Sequence, residues 1–163
     1  MKMRKQLFGA LLALLLCVTM AVPAFASSNM LRLVDNAGLL TDSEQSELLD
    51  KLDEISERQQ VDIVVVTTDS LNGKTPEAYA DDLYDNNGYG FGTDCDGVLL
   101  LVSTEDWDWH LSTCGYGMTA ITDDGIEYIS NKFLPDLSDG DYMAAFAAYA
   151  DLCDEFITQA KTG

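Results

Sequence analysis

Two short apolar runs constrain the fold of this chain more than any other feature. Val61-Asp62-Ile63-Val64-Val65-Val66-Thr67 is β-branched and almost unbroken, and Gly97 to Ser103 is a second continuous apolar run. Both are too short for helices, and neither alternates polar with apolar residues. Strands of that kind are buried on both faces, as in parallel sheets covered by helices on each side. Parallel strands need a crossover between them, and the intervening segment supplies one. Asn72-Gly73 turns the chain, and Thr75-Pro76 offers an N-cap followed by proline at the first helical position. Tyr79, Ala80, Leu83 and Tyr84 then mark a buried stripe. The glycine-rich loop Asn86-Asn87-Gly88-Tyr89-Gly90-Phe91-Gly92 ends that helix.

The flanking segments complete an α/β pattern. Ser27 to Leu33 is a polar-to-apolar lead-in that can add a short strand. Thr41-Asp42-Ser43-Glu44 reads as a capping box, and Leu48, Leu49, Leu52 and Ile55 extend a helix to about Gln59. Beyond the second strand, Glu105-Asp106 sits near a turn and Trp107 to Thr113 returns as a strand. A hairpin centred between Thr104 and Glu105 sets Cys95 opposite Cys114, as a cross-strand disulfide or as two buried thiols. Cys153 falls on a late helix and is expected to stay unpaired. Thr122 caps a helix carrying Ile126, Ile129 and Phe133, and Pro135 follows it. Ser138-Asp139-Gly140-Asp141 opens a last helix with Tyr142, Phe146, Tyr149, Cys153 and Phe156 on its inner stripe. The order α-β-α-β-β-α-α implies a three-layer α/β/α sandwich. Its small mixed sheet holds a right-handed parallel crossover and an antiparallel hairpin.

The N-terminus predicts export. Lys2, Arg4 and Lys5 precede an apolar run from Leu7 to Val22, then Pro23 and the small-residue pattern Ala24-Phe25-Ala26. That sequence of parts is a cleavable secretory signal over residues 1–26, and the apolar core is short for a bilayer span. Residues 27–163, free of linkers and repeats, then form a single domain, secreted or in the cell envelope. With no second apolar stretch of membrane length, the mature domain is expected to leave the membrane. Losing three of nine basic residues takes the formal net charge from −19 to −22. Nucleic acid requires clustered Lys and Arg, so that partner is excluded, and anionic lipid is disfavoured. The acidity serves either as a solvated surface or as a cation site.

Chain direction sorts the acids onto two edges of the sheet. The two parallel strands start at Asp62 and Asp96, and the helix between them returns Asp85, the glycine loop and Asp94 to the same edge. The last strand ends there too, bringing Cys114, Gly115, Gly117 and Asp123. Asp62, Asp85, Asp94, Asp96 and Asp123 are therefore a candidate metal site, since hard cations such as calcium take several carboxylate and carbonyl oxygens. Alternatively they are caps and turn residues. Asp69, Glu105, Asp106, Asp139 and Asp141 share the opposite edge, where ligands of open α/β sheets usually bind. Asp94-Cys95-Asp96-Gly97 spells a phosphatase nucleophile motif, but that chemistry places the acids after the strand rather than before it. His110, the one histidine, lies mid-strand. Trp107 and Trp109 alternate to one strand face, as core or as a small contact surface.

Read in order, several motifs resemble the TPM-domain family. Val34-Asp35-Asn36-Ala37-Gly38-Leu39-Leu40 is similar to its opening motif, and Val61 to Val66 to its first core strand. Tyr79-Ala80, Asp96-Gly97-Val98-Leu99-Leu100-Leu101-Val102, Gly115-Tyr116-Gly117, Thr122-Asp123 and Gly140-Asp141-Tyr142 follow in the family's order. Asp35, Gly38, Gly97, Gly115, Gly117 and Asp141 carry the motif. The resemblance covers Leu33 to Ile157. It implies an exported or membrane-anchored α/β/α domain, with calcium binding in some bacterial members and acid phosphatase activity assigned to plant thylakoid relatives. The implied function is a calcium-binding accessory or interaction module with a protein partner in the cell envelope, or else a metal-dependent acid phosphatase.

Overall fold

A computed structural model describes residues 31–163; the expected leader and its cleavage site lie outside the described residues. Along the chain come β1 (Leu33–Asp35), α1 (Asp42–Gln59), β2 (Asp62–Thr68), α2 (Pro76–Asn87) and β3 (Gly97–Ser103). There follow β4 (Asp108–Cys114), α3 (Tyr116–Ala120), α4 (Asp123–Asp139) and α5 (Tyr142–Thr162). The sheet order is β1-β2-β3-β4. β1, β2 and β3 are parallel, and β4 runs antiparallel to β3. This is the α/β fold with a mixed sheet that the two apolar runs imply.

Every residue of β2 and β3 is buried, and their side chains divide between two faces. Ile63, Val65, Val98, Leu100 and Val102 meet Leu48 and Leu52 of α1, Phe133 of α4, and Phe146 and Tyr149 of α5. Val64, Val66, Leu99 and Leu101 meet Ala80 and Tyr84 of α2. Burying each such aliphatic side chain stabilises the fold by about 1.5–3 kcal/mol, so these two strands dominate the core. One face is thick, the other covered by a single helix. Tyr149 ties the thick face to the sheet, its hydroxyl lying 3.1 Å from the carbonyls of both Val64 and Val98.

Local signals placed the helix starts. The Glu44 amide donates to Thr41 Oγ1 at 3.3 Å while the Thr41 amide donates to Glu44 Oε2 at 2.8 Å, the reciprocal capping box. Thr75 and Asp141 cap α2 and α5, accepting from the Ala78 and Ala144 amides at 3.2 Å. Thr122 occupies the N-cap of α4 without a side-chain capping bond.

Several expectations need correction. β1 spans Leu33–Asp35 rather than ending at Leu33, and β4 starts at Asp108, which leaves Trp107 in the turn instead of on a strand face beside Trp109. α4 runs through Pro135 to Asp139 rather than stopping before it; the carbonyl that Pro135 leaves without a donor belongs to Asn131, which is exposed to water. The five-residue helix α3 was not foreseen. The hairpin is centred between Glu105 and Asp106, one residue later than expected, because Gly97 pairs with Cys114 and Ser103 with Asp108. Asp106 explains the shift: its carboxylate accepts from the Leu71 amide and the Ser103 hydroxyl, both at 2.9 Å, fixing the turn.

Candidate functional site

The amino ends of β2 and β3 form a rim on which the expected metal-ligand residues fall, but their carboxylates have different employment. Asp62 opens β2 and is buried. Its Oδ1 accepts from Arg32 Nε at 3.0 Å and its Oδ2 from the Gly90 amide at 2.8 Å. Arg32 also donates to Asp53 and Glu57, each at 2.9 Å. Burial opposes the charge on Arg32, but its bonds to Asp53 and Glu57 and the charge of Asp62 hold its pKa above the ordinary value. Asp62 thus fastens the glycine loop to the sheet.

Asp96 does similar work at β3. Its amide donates to the Phe91 carbonyl at 3.0 Å, and its own carbonyl accepts from Phe91 at 2.8 Å and Asp62 at 2.9 Å. Oδ1 of Asp96 accepts from the Tyr116 amide at 2.5 Å, holding the start of α3. A Cβ on Gly115 would stand 2.2 Å from Asp96 Oδ1 and 2.6 Å from the Asp94 carbonyl. With φ at +55° as well, that position accepts only glycine.

Asp94 and Asp85 are exposed, and the Asp94 carbonyl lies at this same corner. Burial raises the pKa of the Cys114 thiol, and the nearby Cys95, Asp85 and Asp96 raise it further against a lowering bond from the Gly115 amide. Asp85, Asp96, Cys114, Gly115 and the backbone carbonyl of Asp94 are therefore brought together. Asp123 begins α4 in its first turn, and Asp62 is engaged by Arg32. Among the described residues no group of three or more His, Cys, Asp or Glu side chains is arranged to hold a metal ion. The oxygens that remain for one are the carboxylates of Asp85 and Asp94, Oδ2 of Asp96 and the Asp94 carbonyl.

Cys95 and Cys114 are free thiols. The displaced hairpin register sets Gly97, not Cys95, opposite Cys114. Cys95 instead sits in a turn at φ +54°, with its carbonyl accepting from the Tyr84 hydroxyl at 2.8 Å. Tyr84 is the residue sequence reasoning undervalued here. Its hydroxyl would lie 2.3 Å from a Cβ on Gly97, so a side chain there would push the Tyr84 hydroxyl off the Cys95 carbonyl, and burial pushes the Tyr84 pKa far up. Cys153 is free and buried.

The remaining motif residues are structural pins. Asp35 accepts from the Leu39 and Leu40 amides at 3.1 and 2.9 Å and from the Thr67 hydroxyl at 2.5 Å. Gly38 turns at φ +63°, and a Cβ on Gly117 would meet the Gly97 carbonyl at 2.2 Å. On the opposite rim, Asp69 and Asp106 hold the β3–β4 turn and Asp141 caps α5. His110 pairs with Leu101 in mid-strand and is partly exposed.

With this geometry, the chain belongs to the TPM domain family, whose model matches residues 33–156. It is similar to the protein YdjH of Bacillus subtilis, 24% identical over 149 residues that cover 91% of this chain and 57% of that protein. The chain thus spans a little over half the length of that curated relative. Among solved structures it resembles the N-terminal domain of a protein from P. gingivalis, with a TM-score of 0.67 and 22% identity over 77% of this chain and 81% of that one. BA42 from Bizionia argentinensis is similar at a TM-score of 0.64 and 16% identity, over 74% of this chain and 83% of its own. These likenesses show the fold.

Proposed function

We propose that this TPM domain is an extracytoplasmic accessory module that binds a divalent cation, calcium by its chemistry, on the amino-end rim, and engages a protein of the cell envelope. What supports this reading is that the charges of Asp85 and Asp96 both bear on Cys114, and that the Asp94 carbonyl and the Asp96 carboxylate stand together beside Gly115. Calcium accepts carboxylate and carbonyl oxygens in flexible numbers, and the glycine loop beside the site can adjust to it. Asp85 and Asp94 would be the principal ligands, with Oδ2 of Asp96 beside them. Isothermal titration decides it: the reading expects a calcium heat that is lost in the Asp85→Asn/Asp94→Asn double variant. No binding in the millimolar range, on the order of 4 kcal/mol, overturns the cation half. N-terminal sequencing of the exported protein should begin at Ser27.

The family resemblance also favours a metal-dependent phosphatase. Phosphoryl transfer needs positive charge on the transferring group, and Arg32, the basic side chain bound to Asp62, is already shared among three carboxylates. Bound metal would have to supply that charge. Assay on a generic phosphomonoester with metal added and then chelated separates the readings; inactivity with every metal removes the enzyme.

A further inference from the structure

The chain has two tryptophans, and both line one cleft at the carboxyl end of β3, far along the strands from the rim just described. The cleft holds about 210 Å³ and lies between the β3–β4 turn and the end of α4, with Tyr142 of α5 also lining it. Pockets for extended ligands run to roughly 300–1,000 Å³, so this one suits a single small group. Trp109 is fixed edge-on against Phe133, ring centroids 5.5 Å apart at 86°. Trp107 is placed otherwise. It is 85% exposed and sits at φ +49°, a conformation unusual for a bulky residue and natural for glycine or asparagine. Folding gains little from an exposed tryptophan in a left-handed turn. Its ring is available for a ligand.

The electrostatics name the ligand's charge. Asp108 lines the cleft beside the two indoles, and Leu137 and Ser138 bring the carboxyl end of α4 to it. A helix carboxyl end carries partial negative charge, and here the last turn holds no basic residue. Every basic side chain among the described residues is engaged elsewhere. Arg32, Lys51, Arg58 and Lys74 pair with carboxylates. Lys132 lies over Tyr128, and Lys161 over Tyr116. The cleft thus combines aromatic side chains with the charge of Asp108, which no basic side chain balances although its Oδ1 accepts from the Trp109 amide at 2.9 Å. A hard metal ion takes several carboxylate and carbonyl oxygens, and Asp108 is the one carboxylate in this lining. Aromatic rings with a nearby acid are the chemistry that receives quaternary ammonium groups.

We propose that this cleft binds a small soluble quaternary ammonium ion, with its methylated head against Trp107, Trp109 and Tyr142 and its charge balanced by Asp108. Because both tryptophans line the site, intrinsic fluorescence of the protein reports its occupancy directly. The probes are choline and its uncharged carbon isostere 3,3-dimethylbutan-1-ol. Choline is expected to change the fluorescence saturably and to bind at least about tenfold tighter than the isostere, the factor that a cation–π contact supplies. Trp107→Ala, at an exposed position that leaves the core untouched, should weaken choline about tenfold, and Trp107→Tyr should restore most of the affinity. Asp108→Asn should weaken choline while leaving the isostere unchanged. Equal binding of choline and isostere overturns the proposal, as does unaltered choline binding by Trp107→Ala. So does the absence of any saturable change at choline concentrations on the order of 100 mM.

Discussion

The two ends of the sheet use acidic residues differently. At the amino-end rim, Asp62 and Asp96 are drawn into the fold, one by Arg32 and the Gly90 amide, the other by the Tyr116 amide. Their neighbours Asp85 and Asp94 stay exposed. At the carboxyl-end rim, Asp106 and Asp141 are spent on a turn and a helix cap. What remains open there is Trp107 together with the exposed acids Glu105, Asp108 and Asp139. The difference teaches that position on a rim does not make a carboxylate a ligand. A carboxylate is available only where no amide or guanidinium has already taken its oxygens.

The comparison is broken most severely at Asp62. Asp62→Ala removes one partner of a partly buried ion pair and leaves the Gly90 amide without its acceptor, at a cost of about 3 kcal/mol in urea unfolding. The loss should be the same with and without calcium; a loss that is larger with calcium present would make Asp62 a ligand rather than a pin. Next comes Gly117→Ala, whose Cβ would stand 2.2 Å from the Gly97 carbonyl. Displacing α3 there should cost about 1–3 kcal/mol. At the other rim, Asp106→Ala removes two accepted hydrogen bonds and should cost about 1–2 kcal/mol, with thermal melts as the measure. The double change Asp85→Asn/Asp94→Asn should alter stability by less than about 0.5 kcal/mol.

Away from both rims, acid unfolding tests the ion pairs of α1. The bond from Arg58, followed by that from Gln59, holds the Asp154 pKa below its usual value against burial. A carboxylate with a depressed folded pKa contributes stability above its unfolded pKa and loses it as the pH falls through the folded one. Stability should therefore decline below about pH 4. Asp154→Asn should flatten that decline when unfolding is followed by circular dichroism across pH.

Much of this fold was legible because its signals are local or periodic. The unbroken runs of β2 and β3 required helices on both sides of the sheet, and Thr41 with Glu44, Thr75 with Pro76 and Asp141 announced three helix starts. The hairpin register was misjudged by one residue because Asp106 is held by Leu71, a partner across the fold that no local pattern exposes. Pro135 misled for a related reason, since its tolerance depends on water reaching the Asn131 carbonyl. The amino-end rim was legible as a location. What could not be read was the reach of Arg32 from before β1 to Asp62, which turns a candidate ligand into a pin. Nor did the apolar pattern show the Tyr84 hydroxyl against Gly97, although a glycine opening a buried strand was the available sign.

The most direct test of the central claim is a crystal of this protein soaked in calcium. The division between pinned and free carboxylates predicts an ion beside Asp85, Asp94 and Oδ2 of Asp96, with the Arg32–Asp62 pair intact. An ion seated on Asp62 in place of Arg32, or one found only at the carboxyl-end rim among Asp106, Asp139 and Asp141, would contradict it.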